Sequence, residues 1–313
     1  MKIGFLFPGQ GSQTLGMGKD LYEKYDKVKQ VYDKVNQITG INIKEISFNG
    51  PEEKLNKTQN TQLAILTESL AILEVLKIKN IKSDMSAGLS LGEYTALIDD
   101  NIFDFETGVN LVKQRGLIMQ EFTPKGNWKM AAILGLNENK VEDICKGIKD
   151  GYVIPANYNT KGQVVISGEE EAVLKAGELA KENGAKKVSI LNTAGPFHTE
   201  KLRECSKKLK KELENIKRNT KNSKVVKNIN GKLYTQNDDI VQILSEHICN
   251  PVKFTSCLQT MYDNGIDTFI EIGPGKTLSS FVKRMKFEKP IKIMNINNVE
   301  NLEEVIKEVK TNE

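Results

Sequence analysis

Only two histidines occur in this 313-residue chain, and that shortage decides more than any abundance does. If an imidazole serves as general base near neutral pH, it belongs to His198 or His247. The same scarcity argues against a histidine-rich metal site, so no metal is expected. The four cysteines, Cys145, Cys205, Cys249 and Cys257, show no C-x-x-C spacing and no clustering with the histidines, which points to neither a zinc site nor a disulfide framework. A reduced, cytoplasmic setting is the expectation. No segment approaches the roughly 18 consecutive apolar residues of a membrane span, and the apolar run after Met1-Lys2 is too short for a signal sequence. Neither export nor membrane insertion is expected.

Arginine is scarce as well. Only Arg115, Arg203, Arg218 and Arg284 interrupt a lysine-dominated set of 45 cations, and a planar fork kept among so many lysines invites inspection. The net charge of +4 hides an imbalance: residues 201–232 hold twelve Lys/Arg against three Glu, a net of +9, so the remaining 281 residues sum to −5. This basic run is either a solvated helix and loop or a docking face. It carries no interleaved aromatics and only two arginines, which makes nucleic acid a poor partner; an acidic protein or a phosphate-bearing carrier suits it better.

What is present is enough for a soluble core: 39% of the residues are hydrophobic and 27% charged. Short apolar runs alternate with helical patterns, which reads as α/β. Residues 3–7 form a buried strand that stops at Pro8-Gly9, 58–77 form a helix on the spacing of Leu63, Leu66, Leu70 and Leu73, and 84–87 form a short strand followed by a helix over 93–98. From 128 to 192 the order is strand 130–136, helix from an Asn137 cap to about 149, strands 153–156 and 163–167, helix 169–183, strand 187–191. That β-α-β-β-α-β order is ferredoxin-like. Pro124, Gly126 and Asn127 on one side and Ala194-Gly195-Pro196 on the other mark residues 126–196 as a small subdomain inserted between 1–125 and 197–313.

Gly88-Leu89-Ser90-Leu91-Gly92 matches G-x-S-x-G, the elbow that lifts a serine onto a strained turn between strand and helix. The string is weak alone, and an incidental turn serine is the bland alternative; the strand before it and helix after it favour the elbow. A serine needs a base, and His198 in Gly195-Pro196-Phe197-His198-Thr199 sits in a loop from which a side chain can enter a cleft. His247 lies inside a helical stretch that runs up to Asn250-Pro251, where a surface or packing role is more usual. No acidic third member is identifiable. The loop Pro8-Gly9-Gln10-Gly11-Ser12-Gln13 can aim backbone N–H groups inward, one for an oxyanion hole whose second donor is Leu91; an ordinary strand-to-helix turn is the alternative. On a helix over 109–120, Arg115 falls within the apolar arc of Leu111, Val112, Ile118 and Met119. A guanidinium facing inward must be paired, either with a structural Asp or Glu or with the carboxylate of a substrate.

Together PGQGSQ (8–13), GLSLGEY (88–94), QRGLIMQ (114–120), NYNTKGQVVISG (157–168), GPFH (195–198), NPV (250–252) and EIGPGK (271–276) resemble the malonyl-CoA:acyl carrier protein transacylases of type II fatty acid synthesis, over residues 1 to about 284. The resemblance implies an α/β-hydrolase-like core with an inserted ferredoxin-like small subdomain. It implies that Ser90 forms a malonyl ester, that His198 activates it and later the carrier thiol, and that Gln10 and Leu91 supply the oxyanion-hole amides. Arg115 would clamp the free malonyl carboxylate, with Met119 and Phe197 in the substrate pocket. His247 would orient His198 through its main-chain carbonyl, so that its own imbidazole need not matter.

The same resemblance implies ping-pong transfer from malonyl-CoA to the phosphopantetheine thiol of an acidic acyl carrier protein, no cofactor and a monomer. Many family members carry His before the nucleophile where this chain has Leu89, which bears on acyl preference. Another extender unit such as methylmalonyl-CoA, a serine thioesterase using water, and a non-catalytic carrier-binding homologue are the competing readings. If the resemblance holds, His198→Ala loses nearly all malonyl transfer while His247→Ala keeps most of it, measured as kcat on purified protein; the reverse outcome would reassign the base.

Overall fold

Strand β1 has both faces buried, and its side chains divide between two cores. The computed structural model describes residues 1–191 and 195–311, and within them the strands are β1 (Ile3–Phe7), β2 (Met85–Gly88), β3 (Trp128–Leu134), β4 (Val153–Thr160), β5 (Gln163–Glu169), β6 (Lys187–Leu191), β7 (Val252–Lys253), β8 (Thr268–Ile272) and β9 (Lys292–Ile296). Phe5 and Phe7 pack into one apolar cluster with the helices Thr58–Ile78, Leu91–Asp99 and Phe105–Phe122. Leu6, pointing the other way, joins a second cluster with Phe254–Asp263 and Thr277–Met285. Burying each such side chain stabilises the fold by about 1.5–3 kcal/mol.

The large sheet has the order β2-β1-β8-β9 and is parallel throughout, as a sheet covered by helices on both faces should be. Its edge beyond β2 is closed by the segment around Val225, which bridges to Ser86. This is the α/β core expected from the sequence.

The small sheet runs β6-β3-β5-β4 in antiparallel pairs, the ferredoxin-like arrangement. A fifth strand was not anticipated: β7, from beyond the insertion, pairs in parallel with β4, setting Asn157 beside Val252 and Tyr158 beside Lys253. Alternation along β3 again divides labour. Ala131 and Ile133 pack under the helices Glu138–Gly147 and Glu170–Glu182, whereas Met130 and Ala132 turn toward the large core. That second face becomes one wall of a cleft.

Several boundaries move for local reasons. β3 spans Trp128–Leu134 instead of 130–136, because Gly135 takes a positive φ of 97° that no strand continues through. β4 runs on to Thr160 across two irregularities in its pairing with β5. The helix carrying Arg115 is longer than 109–120, starting after Asp104, whose carboxylate accepts from the Thr107 N–H. The helix after the elbow begins at Leu91, immediately after Ser90. Ala194, part of the expected exit from the small subdomain, lies outside the described residues.

Two glycines allow the elbow to close. A Cβ on Gly88 would sit 1.8 Å from the Gly92 carbonyl carbon, and one on Gly92 would sit 2.0 Å from the Phe7 carbonyl oxygen. Gly92→Ala should therefore lower the unfolding free energy by about 3 kcal/mol, because the clash is with backbone that cannot step aside. Urea unfolding monitored by circular dichroism checks this, and an unchanged midpoint would show that the turn has slack.

Candidate active site

Ser90 occupies φ 54°, ψ −97°, a strained conformation for a residue with a Cβ. It caps the helix Leu91–Asp99, so that its hydroxyl stands at the positive end of the helix. From the opposite side comes His198, also at positive φ (59°) and buried, on a turn just before the short helix Glu200–Leu202. The Ser90 hydroxyl donates to His198 Nε2 at 2.8 Å.

The tautomer follows from the other ring nitrogen. His198 Nδ1 lies 3.1 Å from the His247 carbonyl and 3.2 Å from the Asn250 carbonyl. Carbonyl oxygens only accept, so Nδ1 carries the proton and Nε2 presents its lone pair to the serine. Burial, and then the positive charge of Arg115, push the imidazole down to about 4, so the ring is a neutral base at physiological pH.

Arg115 lies at the floor with 2% of its surface exposed. Its Nη1 donates to Gln62 Oε1 at 2.6 Å and its Nη2 to Ser90 Oγ at 3.0 Å, while the guanidinium lies over the Tyr94 ring, 5.1 Å from the centroid. Among the described residues no carboxylate forms an ion pair with it, and its Nε has no partner. Of the two partners the sequence left open, a structural carboxylate is thus not in contact with it; buried Glu93 attracts it only at longer range. Gln62 also donates from Nε2 to the Met119 sulfur at 3.2 Å, which ties Met119 to the arginine.

A cavity of about 230 Å³ opens between the two sheets over these groups. Gln10, Ser90, Leu91, Arg115, Met119 and Phe197 all line it, as do Asn157, Asn159 and Gln163 from the small subdomain. Among the described residues, the Gln10 and Leu91 amides are spent on no hydrogen bond within the fold, which leaves both for an oxygen in the cavity. The arrangement fits acyl transfer: a hydroxyl, a neutral base holding the correct tautomer, two free amides and a buried cation.

The family described as acyl transferase domain matches residues 4–311. This chain belongs to that family. Similar to this acyl transferase are the malonyl CoA-acyl carrier protein transacylases of Bacillus subtilis (strain 168), 40% identical over 311 residues with 99% of this chain and 98% of the relative covered, and of Staphylococcus aureus (strain MSSA476), 36% identical over 303 residues with 96% and 97% covered. Two solved structures are close in shape. One is the malonyl CoA-acyl carrier protein transacylase from Clostridium perfringens, with a TM-score of 0.93, 41% identity and coverage of 99% and 98%. The other is a malonyl-transacylase in complex with its type II PKS acyl-carrier protein, with a TM-score of 0.93, 34% identity and coverage of 98% and 100%.

In this acyl transferase the second histidine takes the packing role, one of the two that the sequence left open. His247 ends the helix Ile240–His247 and is buried, not a surface residue; its ring centroid lies 5.0 Å from that of His198 and its Nδ1 lies 3.3 Å from Glu93 Oε2. Its carbonyl faces His198 as expected, but shares that task with the Asn250 carbonyl. Gln62, Glu93, Asn228 and Asn250 were not assigned roles from sequence. The available signal was a long polar side chain on a buried helix: Gln62 and Glu68 are buried in Thr58–Ile78 among leucines, isoleucines and short polar residues.

The basic run is also less free than its formal charge suggests. Lys227 is buried against Asp238 at 2.7 Å, Arg203 pairs with Glu200 and Glu246, each at 2.6 Å, and Lys221 pairs with Asp100 at 3.2 Å. No helix among the described residues is long and apolar enough to cross a membrane.

The depressed His198 value makes a prediction with a definite sign. The base is lost only as pH falls through about 4, not through the ordinary 6.5, so kcat/KM for the free enzyme should stay level below 6.5 and fall with a midpoint near 4. Over the same window the unfolded chain takes up a proton that the folded site refuses, so folding stability declines as pH drops. A pH–rate profile with its acid limb at 6.5 would show that the ring is more solvated than the geometry indicates.

Proposed function

We propose that this protein transfers a malonyl group from malonyl-CoA to the phosphopantetheine thiol of an acyl carrier protein, through an ester on Ser90. The observation that carries this reading is Arg115: a buried guanidinium without a carboxylate partner among the described residues, 3.0 Å from the hydroxyl that takes the acyl group. A cation so close to the reacting oxygen suits a short acyl group with a second carboxylate beside the thioester. Acetyl chains supply no such charge, and longer dicarboxylic chains would overshoot it.

In this scheme Ser90 Oγ attacks the thioester carbonyl while His198 Nε2 takes the hydroxyl proton. The Gln10 and Leu91 amides receive the oxyanion. The C–S bond then breaks, and the proton on Nε2 passes to the departing CoA sulfur. In the second half the carrier thiol gives its proton to Nε2 as sulfur attacks the ester, and the proton returns to Ser90 Oγ as that bond opens. Side chains and backbone amides carry every step, and the scheme calls on no cofactor or metal.

The polar wall of Asn157, Asn159 and Gln163 offers partners to the amides of a pantetheine arm. Leu89, which replaces the histidine many relatives carry, lines the cavity and packs with the cluster of Leu278 and Phe281, so this edge of the acyl site is apolar. Met119 and Phe197 bound the acyl end. For an acidic carrier, the exposed lysines on Arg203–Glu214, Lys210 and Lys211 among them, remain the candidate contacts. Four buried, unpaired cysteines suit a reducing cytoplasm, where we place the reaction.

Intact-mass measurement after malonyl-CoA treatment should show one added malonyl group on the wild type and none on Ser90→Ala. Holo-carrier should then remove it; free malonate as the main product would make the enzyme a thioesterase. Arg115→Ala should lower kcat/KM for malonyl-CoA by on the order of 100-fold while acetyl transfer falls far less. Equal losses for the two substrates would make Arg115 structural.

A further inference from the structure

Behind Ser90 and His198 lies a second layer of polar groups that the scheme above does not use. Asn228 is fully buried, and its side chain holds both ends of the elbow: Nδ2 donates to the Gly88 carbonyl at 2.7 Å and Oδ1 accepts from the Ser90 N–H at 2.7 Å. The two bonds bracket Leu89. They bind the strained Ser90 peptide to a residue 138 positions away. Asn228 is in turn held through its own backbone, whose N–H donates to Glu93 Oε2 at 3.3 Å.

Glu93 has 1% of its surface exposed, and its other oxygen accepts from the buried Tyr234 hydroxyl at 2.6 Å. The same Oε2 lies 3.3 Å from Nδ1 of His247, the residue whose carbonyl faces the catalytic imidazole. One buried carboxyl group thus touches the segment that holds the nucleophile and the residue that orients the base. Burying a carboxyl group is costly, and an apolar side chain at this helix position would pack without that penalty. Burial pushes Glu93 up to about 7, consistent with a group kept for the contacts it receives and not for a permanent charge.

We infer that Asn228 and Glu93 are positioning residues for the transfer reaction: Asn228 fixes the Ser90 elbow in its strained form, and Glu93 holds Asn228 from behind through its backbone N–H, so that nucleophile and base keep their 2.8 Å register. The two residues touch neither substrate nor reacting atoms. A residue in a sparsely populated backbone conformation stays there only when its surroundings over-determine it, and the side-chain amide of Asn228 supplies that determination. Because the inference concerns how Ser90 is presented, it rests on the malonyl-transfer reading only for its second readout.

Two measurements on full-length protein separate the ideas. The first is the rate at which a fluorophosphonate modifies Ser90, read by intact mass; this needs the elbow, the base and the oxyanion amides but no malonyl-CoA. The second is kcat and KM for malonyl-CoA, each normalised to the folded fraction from near-ultraviolet circular dichroism. Asn228→Leu should slow labelling and lower kcat by on the order of 100-fold, as expected when a reacting group is displaced, while KM stays within about threefold because Arg115, Met119 and Phe197 are untouched. Asn228→Asp keeps the acceptor for Ser90 but sets an oxygen against the Gly88 carbonyl, and should lose at least about tenfold in both rates; it is the isosteric variant to use if the leucine protein fails to fold.

Glu93→Gln, which can still meet the Asn228 N–H and the Tyr234 hydroxyl, should recover at least about tenfold of the labelling rate lost in Glu93→Ala. Wild-type labelling rates in folded Asn228→Leu or Asn228→Asp would overturn the inference, and so would equal losses in Glu93→Gln and Glu93→Ala. Wild-type protein that labels with fluorophosphonate but gains no malonyl group would instead overturn the proposed substrate and leave the positioning role standing.

Discussion

The constraint on which the molecule turns is the backbone of Ser90. Holding a serine at φ 54°, ψ −97° costs of order 1–3 kcal/mol, and the fold spends several independent contacts on keeping it there. Gly88 and Gly92 have no room for side chains because the turn closes onto its own backbone and onto the end of β1. The Leu89 N–H donates to the Phe7 carbonyl, and the Ser90 N–H donates to Asn228. One consequence is that the following helix begins at Leu91 with its first amide unspent among the described residues, beside the hydroxyl that needs it. Strain and catalysis share a cause: the conformation that is hard to hold is the one that exposes the hydroxyl and the amide together.

A single cation sets the electrostatics. Arg115 donates to the serine oxygen, helps push His198 into its neutral form, and has no carboxylate of its own among the described residues. In a buried cavity these effects reinforce one another. A charged His198 beside a charged Arg115 would be strongly disfavoured, so the ring stays neutral with its Nε2 lone pair available, and a cation with no ion-pair partner among the described residues makes the cavity attractive to an acid. The histidine is oriented without a carboxylate in contact with it: two main-chain carbonyls, from His247 and Asn250, accept from its Nδ1–H. The acidic group that the sequence does not point to is one layer further back, at Glu93.

Legibility tracked the range of the interaction. Alternation and helical spacing are local properties, so β1, the helix Thr58–Ile78 and the order of the small subdomain could be read directly, with errors of a few residues where Gly135 or an Asp104 cap set the end. The inward face of Arg115 was likewise a matter of 100° steps along one helix. Asn228 was not legible, because it sits in a lysine-rich stretch and acquires its meaning only when that stretch closes over β2. The basic run misled in degree: its sign is compositional, but Lys227, Lys221 and Arg203 are paired by acids distant in the chain or on other turns.

By itself the sequence determined the class of fold and singled out Ser90 and, from only two histidines, His198 as the candidate hydroxyl and base, because each of these rests on residue type and near-neighbour spacing. Tertiary structure alone decided which nitrogen of His198 carries the proton, that Arg115 lacks an acidic partner among the described residues, that His247 is buried against Glu93, and that β7 completes the small sheet beside the cleft. These are matters of which groups meet across some fifty to a hundred and fifty residues of chain. No periodicity records such meetings, since they depend on how two sheets and their helices pack around one strained turn.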